Sequence, residues 1–347
     1  MKEFKGFMHG VNLGGWFSQC NHTQERYDNF IKEDDFKILS GWGLDHIRLP
    51  IDYELVETAA GQVREDGYAR LRKTAEWCKA NKLNMILDLH KTAGYSFDPG
   101  YKESGFFDNE ALQKRFYKLW ENLARNFAGI FDGCEQEICF ELLNEVTDKS
   151  YCQKWNTIAR KCIERIRAIA PETKILVGSY WNNSLAAVKD LDPPYDENIV
   201  YNFHCYEPLL FTHQGAPWVG QNMNPDFRLP LKSKYKDYTE LTAAKVGQIG
   251  TAFGAFSPDE TVDVNYFETI FEEAVKTAEE RNVMLYCGEY GVIEKASPED
   301  TLEWYKLIST VFNNHGIGRA AWSYKEMDFG LNDNRLDSIR GDLIKYL

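Results

Sequence analysis

The sequence predicts an α/β fold, a (β/α)8 TIM barrel built from all 347 residues as one domain, with a small inserted subdomain at 207–264 after the sixth strand. Three observations predict it. Eight short apolar runs alternate with longer stretches of helical period, which implies parallel strands joined by crossover helices. Polar side chains recur where those runs end, and a barrel gathers its site at the strand C-termini. The rival architecture, an open doubly wound sheet, usually carries a Gly-rich first turn. Here Val11-Asn12-Leu13-Gly14-Gly15-Trp16 contains glycines but lacks GxGxxG spacing.

In chain order, strands are expected at 7–11, 45–49, 84–89, 138–143, 174–178, 199–203, 284–287 and 318–322. Between them, apolar residues at helical spacing predict helices at 25–39, 66–80, 109–127, 151–169, 266–280 and 298–312, with shorter ones at 184–189 and 337–347. The connection from Tyr206 to about Asn265 is abnormally long, with prolines, glycines and exposed-looking aromatics (Phe211, His213, Trp218, Phe227, Tyr235). Loops of that length inside compact domains are usually functional. Following the sixth strand, it emerges at the C-terminal face and is expected to wall one side of a cleft.

Composition narrows the partners. Hydrophobic residues at 44% and charged residues at 27% are ordinary for a globular protein. Nine Trp and nineteen Tyr raise the aromatic share to 14%, which suits ligands with flat faces, such as sugars. A net charge of -13 repels phosphate backbones, so nucleic acid is excluded as a partner, whereas a neutral polymer is indifferent to it. The first residues form no apolar leader core, and no stretch spans a bilayer, so neither a membrane partner nor export is expected. That places the chain in the cytoplasm, although a secreted protein whose leader had been cleaved would read the same. The eight Cys (20, 78, 134, 139, 152, 162, 205, 287) form no CxxC pair. They read as free, mostly buried thiols in a reducing compartment, with no disulfide framework or zinc site.

Asn12, Arg48, His90, Asn144, Glu145, His204, Tyr206, Glu289 and Trp322 all stand where predicted strands end. Collecting ionisable groups there is costly unless they converge on something. Glu145 follows an apolar run that abruptly turns polar. Because strand side chains alternate faces, Asn144 and Glu145 both face the site only if the strand ends or bulges there. Glu289 has Gly288 before it and Gly291 after it. Two carboxyls held about 5–5.5 Å apart across an anomeric carbon suit retaining glycoside hydrolysis. Either Glu alone reads as a surface or ion-paired carboxylate; the matched pair carries the inference. His90, which shares strand parity with Asp88, reads equally well as a core histidine. His90, His204 and a carboxylate offer metal ligands, but no HExxH-like close pairing accompanies them. No metal or cofactor is expected.

These residues carry a resemblance. The stretches at 10–16, 46–50, 87–90, 141–145, 201–206, 288–291 and 321–325 resemble family 5 glycoside hydrolases, in the correct order along the whole chain. Leu143-Asn144-Glu145 combined with Gly288-Glu289-Tyr290-Gly291 is the specific part. The nearest likeness is to clostridial-type endo-β-1,4-glucanases with a subdomain after the sixth strand. The resemblance implies Glu145 as acid/base and Glu289 as nucleophile, the latter held ionised and aligned by Arg48 and Tyr206. It implies Asn144 on the sugar 2-hydroxyl, His90 and His204 lining the central subsite, Trp322 as sugar platform and a cis Trp322–Ser323 bond. Asn12, Trp16 and Trp218 are expected to add substrate contacts. One departure stands out: many relatives carry a second His after the strand-three His, where this chain has Lys91. The loop at 95–107, with Phe97, Tyr101, Phe106 and Phe107, is expected to narrow one end of the cleft. That keeps an exo-acting β-1,3-glucanase as the alternative, because such relatives share the Val-Asn-Leu-Gly-Gly-Trp opening. A non-catalytic carbohydrate-binding protein is disfavoured by the intact carboxylates, and a metal-dependent hydrolase would lose activity with a chelator.

Overall fold

The computed structural model describes residues 1–98, 100, 104–247 and 252–347. Eight strands, β1 (His9–Asn12), β2 (His46–Asp52), β3 (Asn84–Lys91), β4 (Ile138–Glu141), β5 (Ile175–Gly178), β6 (Ile199–Cys205), β7 (Met284–Tyr290) and β8 (Gly318–Ala321), close into one parallel barrel in sequence order. The predicted (β/α)8 architecture is therefore the observed one. Five boundaries differ in an instructive way. β2, β3, β6 and β7 run two to three residues further than expected, into polar sequence, while β4 stops at Glu141, two residues early. Apolar content marks the part of a strand that helices cover; the polar continuation still pairs because its side chains have partners inside the barrel.

That interior changes character along its axis. At the N-terminal end Phe4 and Phe7 stack at 4.4 Å and close the floor, packed against Ile86, Cys139, Leu176, Val200, Met284, Tyr286 and Ala320. One strand repeat higher, the register places Asp88 beside Glu141, and Arg48 pairs with Ile86. Inward residues of one strand alternate, so Ile86, Asp88 and His90 climb a single wall from apolar to charged. Arg48, Asp88, Glu141 and Asn202 are all 0% exposed.

The helices have local causes. Pro298–His315 starts behind Ser297, whose side chain caps the Asp300 N–H; proline occupies its first position and Gly316, at φ +62°, ends it. Glu110–Phe127 starts behind Asn109, which caps Ala111 and Leu112. The single helix expected at 25–39 is two, Gln24–Asn29 and Glu33–Gly41, because Asp35 folds back on the Lys32 N–H and begins a new helix there. After β5 no full helix follows. Residues 181–183 adopt left-handed backbone (φ +51°, +55°, +55°), and a 3-10 segment, Leu185–Asp190, takes over.

The long connection carries a short helix Leu209–Thr212, a helix Tyr235–Lys245 and a 3-10 turn before the helix Val264–Glu280. Its aromatics are largely inside: Phe211 and Tyr235 are buried, and only Trp218, 56% exposed, stands out. Their exposed look came from flanking polar residues. Phe106 and Phe107 are also buried, stacked among Tyr95, Phe116 and Tyr151, so they do not narrow a cleft. Phe97 alone reaches the barrel mouth, its edge on His90 at 5.0 Å; Tyr101 lies outside the described residues. Seven of the eight cysteines are buried or half-buried, Cys134 is exposed, and none is paired.

Candidate active site

Arg48 is the hub. Its guanidinium donates through Nε and Nη2 to both Glu141 oxygens (2.7 and 2.8 Å), through Nη2 to Asn144 Oδ1 (2.8 Å), and through Nη1 to Asn12 Oδ1 and Glu289 Oε1 (both 2.8 Å). Asp88 Oδ2 lies 3.1 Å from Nη2. Burial opposes its charge, but Asp88, Glu141 and Glu289 outweigh that and hold it firmly protonated. Asn12 itself bridges β1 to the Gly288 and Ala320 carbonyls. Asn202 joins the network from β6: it donates to Glu141 and accepts from the Gly288 N–H. A side chain on Gly288 would stand 2.6 Å from Asn202 Oδ1, so glycine is required for that bond to form.

Above this layer sit two carboxylates in different surroundings. Glu289 lies where β7 bulges, its pairing shifting between Cys287 and Tyr290 against β8. Arg48 holds one of its oxygens and the Tyr206 hydroxyl donates to the other at 2.9 Å. Glu145 follows the early end of β4 with φ +34°, a strained backbone for a non-glycine residue, which turns its side chain into the barrel mouth after Asn144. Neutral donors hold it: Asn182 Nδ2 at 2.8 Å and His204 Nδ1 at 2.8 Å. Burial pushes its carboxyl above the usual range, offset in part by Asn182. His204 is pushed down to about 4, chiefly by burial, so it is neutral at pH 7. Its Nε2 faces the Asn183 amide nitrogen at 3.4 Å, an arrangement that leaves Nδ1 as the protonated nitrogen. Oxygens of Glu145 and Glu289 approach within 4.8 Å of each other.

A family model for "Cellulase (glycosyl hydrolase family 5)" matches residues 7–328. The chain belongs to that family. It is 49% identical over 319 residues to Cellodextrinase A of Ruminococcus flavefaciens, covering 92% of this chain and 86% of the relative. Over 344 residues it is 32% identical to Endoglucanase C of Acetivibrio thermocellus, covering 98% of each. Among solved structures an endoglucanase superposes with a TM-score of 0.76 at 21% identity over 98% of this chain and 97% of that one, a likeness of fold.

This family 5 glycoside hydrolase brings together Arg48, His90, Asn144, Glu145, His204, Tyr206, Glu289 and Trp322. His90 stacks parallel to Trp322 at 5.7 Å, and the Trp322–Ser323 bond is cis. Two of the three further substrate contacts expected, Asn12 and Trp16, are placed differently. Asn12 is fully buried opposite Arg48, a support for the network with no face open to a ligand. Trp16 is buried on the barrel's outer side, stacked between Phe17 and Trp77, with its indole N–H on the Tyr27 carbonyl. The chain leaves β1 at Asn12 and turns outward, which sequence spacing does not reveal. Trp218 is exposed, between Ala216 and Val219, which pack near Trp322.

Sequence reading missed Asn182, Asn183 and Trp181. The left-handed run after β5 aims Asn182 at Glu145 and Asn183 at His204, and leaves Trp181 53% exposed beside them with Lys149 over its ring. Adjacent asparagines, which tolerate left-handed backbone, were the one available signal. It also passed over Glu141 and Asn202 as members of the network. Among the described residues two groups offer ligand atoms close enough for a cation, Glu145–His204–Glu289 and His22–Asp52–Glu54. In the second, Lys91 already lies 2.6 Å from Glu54, and His22 lies 3.1 Å from Asp52. His90 belongs to neither.

Proposed function

We propose that the chain hydrolyses β-1,4-glucan (cellulosic chains, mixed-linkage glucan or glucomannan) with retention, by double displacement between Glu289 and Glu145. One observation carries this reading. Two buried carboxylates each bring an oxygen within 4.8 Å of one on the other, and only Glu289 is bonded to a guanidinium. That separation suits direct attack, whereas inversion needs room for a water, with carboxyls about 6.5–9.5 Å apart. Glu289, held by the Arg48 guanidinium at one oxygen and by the Tyr206 hydroxyl at the other, attacks the anomeric carbon. The bond to the leaving oxygen breaks as Glu145 gives that oxygen its proton. In the second half Glu145, now a carboxylate, takes a proton from water, and the hydroxide equivalent displaces Glu289. Atoms balance: one water in, two sugar ends out.

Asn144 Nδ2 and His90 Nε2 are buried without a protein partner, which suits them to sugar hydroxyls. The names of the Ruminococcus and Acetivibrio relatives support cellulosic substrates, and the former favours short soluble oligosaccharides. The test is a timed product profile on carboxymethyl cellulose, lichenan, laminarin and glucomannan. Early mixed oligomers from lichenan and glucomannan support the reading; glucose alone, released from laminarin first, replaces it with exo-β-1,3 action. A chelator at millimolar concentration should leave the rate unchanged, because no step is assigned to a cation; loss restored by added metal would reject the carboxylate-only mechanism.

The acid stands on the leaving-group side, so Trp181, beside Glu145 through Asn182, supports the departing sugar. Trp181→Asn keeps a residue that tolerates φ +51° and removes the ring. Losing one stacked aromatic face costs about 1 kcal/mol, so KM for cellotetraose should rise roughly fivefold. Cellobiosyl fluoride, whose leaving group is one atom, should react as before; an equal rise on both would place Trp181 elsewhere.

A further inference from the structure

Asp88 is used by no step above, although it is 0% exposed and sits directly under His90. Its Oδ2 lies 2.7 Å from His90 Nδ1 and 3.1 Å from Arg48 Nη2, while Oδ1 has no partner. In an imidazole the two nitrogens point to different sides of the ring. With Nδ1 directed down the barrel onto Asp88, Nε2 is directed away from that layer, on the edge of a ring held between Trp322 and Phe97. Nε2 is buried and unpartnered.

We infer that Asp88 and His90 form one proton-holding unit, and that Asp88 is a positioning residue which decides whether the imidazole edge facing the sugar accepts or donates a hydrogen bond. The inference rests on the reading of His90 as lining the central subsite. Proton counting carries it. With a carboxylate at Asp88, its oxygen accepts from Nδ1–H, and a neutral imidazole then shows a bare Nε2, an acceptor. Add one proton from solvent and two distributions exist: a neutral carboxylic acid donating to Nδ1, with hydrogen on Nε2, or a carboxylate beside an imidazolium. Both put an N–H on Nε2. The edge therefore turns from acceptor to donor whichever partner holds the second proton.

The surroundings set where this happens. Facing the pair are Arg48 and Asp52 from β2, Glu141 and Glu145 from β4 and the turn after it, His204 from β6 and Glu289 from β7. Burial favours the uncharged, proton-loaded pair, and the carboxylates at 52 and 145 act in the same sense. Arg48 alone opposes. Burial accordingly carries Asp88 up to about 7, against the opposing pull of Arg48, and together with Arg48 pushes His90 down against the carboxylates at 289, 52 and 145. Glutamine or asparagine below His90 would supply hydrogen bonds but no titration.

The test is nitrogen-proton correlation spectroscopy of the histidine rings in the full-length protein without substrate, with His90 assigned by loss of its signals in His90→Gln. Expected is a change of Nε2 from unprotonated to protonated as pH falls through about 7, which vanishes between pH 5.5 and 8.5 in Asp88→Asn. A wild-type Nε2 that holds one protonation state from pH 5 to 9, or a transition that survives in Asp88→Asn, overturns the inference. Because no substrate is present, that failure is independent of the proposed reaction. A kinetic arm separates His90 from Arg48 as the target. Asp88→Asn should raise KM for dinitrophenyl cellobioside several-fold, and add nothing in a His90→Gln background. A persistent effect there would show that Asp88 works through Arg48, and would equally overturn it.

Discussion

Glu289→Gln is expected to abolish hydrolysis of every substrate, by at least about 10⁴-fold, equivalent to about 5.5 kcal/mol of transition-state stabilisation. An amide in that place cannot attack the anomeric carbon. Glu145→Gln should behave differently. On cello-oligosaccharides, whose leaving alkoxide needs a proton, the loss should approach that of Glu289→Gln. On dinitrophenyl cellobioside or cellobiosyl fluoride, whose leaving groups depart as anions, the first step should proceed nearly as in the parent. The second step then lacks its base, so glycosyl-enzyme accumulates as a burst, and azide, a nucleophile needing no base, should restore turnover.

The pH profile adds a sign. Glu145 must carry its proton, and burial raises its pKa, so parent activity falls as pH climbs through that value. Glu145→Gln on an activated substrate should lose this alkaline limb. Equal loss on activated and natural substrates, or a limb that persists in the variant, would reverse or discard the assignment of roles.

Much of this was legible beforehand because strand periodicity and strand-end polarity are local signals. Glu145 and Glu289 stood in matched contexts, and Arg48 was already paired with the nucleophile by resemblance. What escaped reading depended on backbone path. Trp16 follows a motif that looks like a sugar contact, yet the chain turns outward at Leu13 and the indole packs into the outer core. Asn182 faces Glu145 only because three successive residues adopt left-handed backbone, a geometry that no periodicity announces. Asn12 stands at the expected strand end, but its register opposite Arg48 turns its amide onto the guanidinium and the Gly288 and Ala320 carbonyls, a set of partners that pairing alone reveals.

Arg48→Met should cost both activity and stability, for separable reasons. Hydrolysis should fall by about 10³-fold or more as Glu289 loses its counter-charge and its alignment. Stability should fall by about 3–5 kcal/mol, the usual result of stripping the partner from a buried charge. Asp88, Glu141 and Glu289 then share no cation. Lysine is no substitute, since Arg48 engages five residues through a planar fork that one ammonium cannot copy. A carboxyl whose folded pKa lies above its unfolded one stabilises the fold most fully below the unfolded value, about 4, and that contribution is lost as pH rises through the folded value. Burial already raises Asp88 to about 7 and lifts Glu141; removing Arg48 lifts both further. Unfolding midpoints of Arg48→Met should therefore recover as pH is lowered from 8 toward 5, more steeply than in the parent. Adding Glu141→Gln should recover stability at pH 8 without recovering activity. If that double variant regains neither, Arg48 holds the barrel through packing alone; if it regains both, charge balance was its whole contribution and the alignment of Glu289 never depended on it.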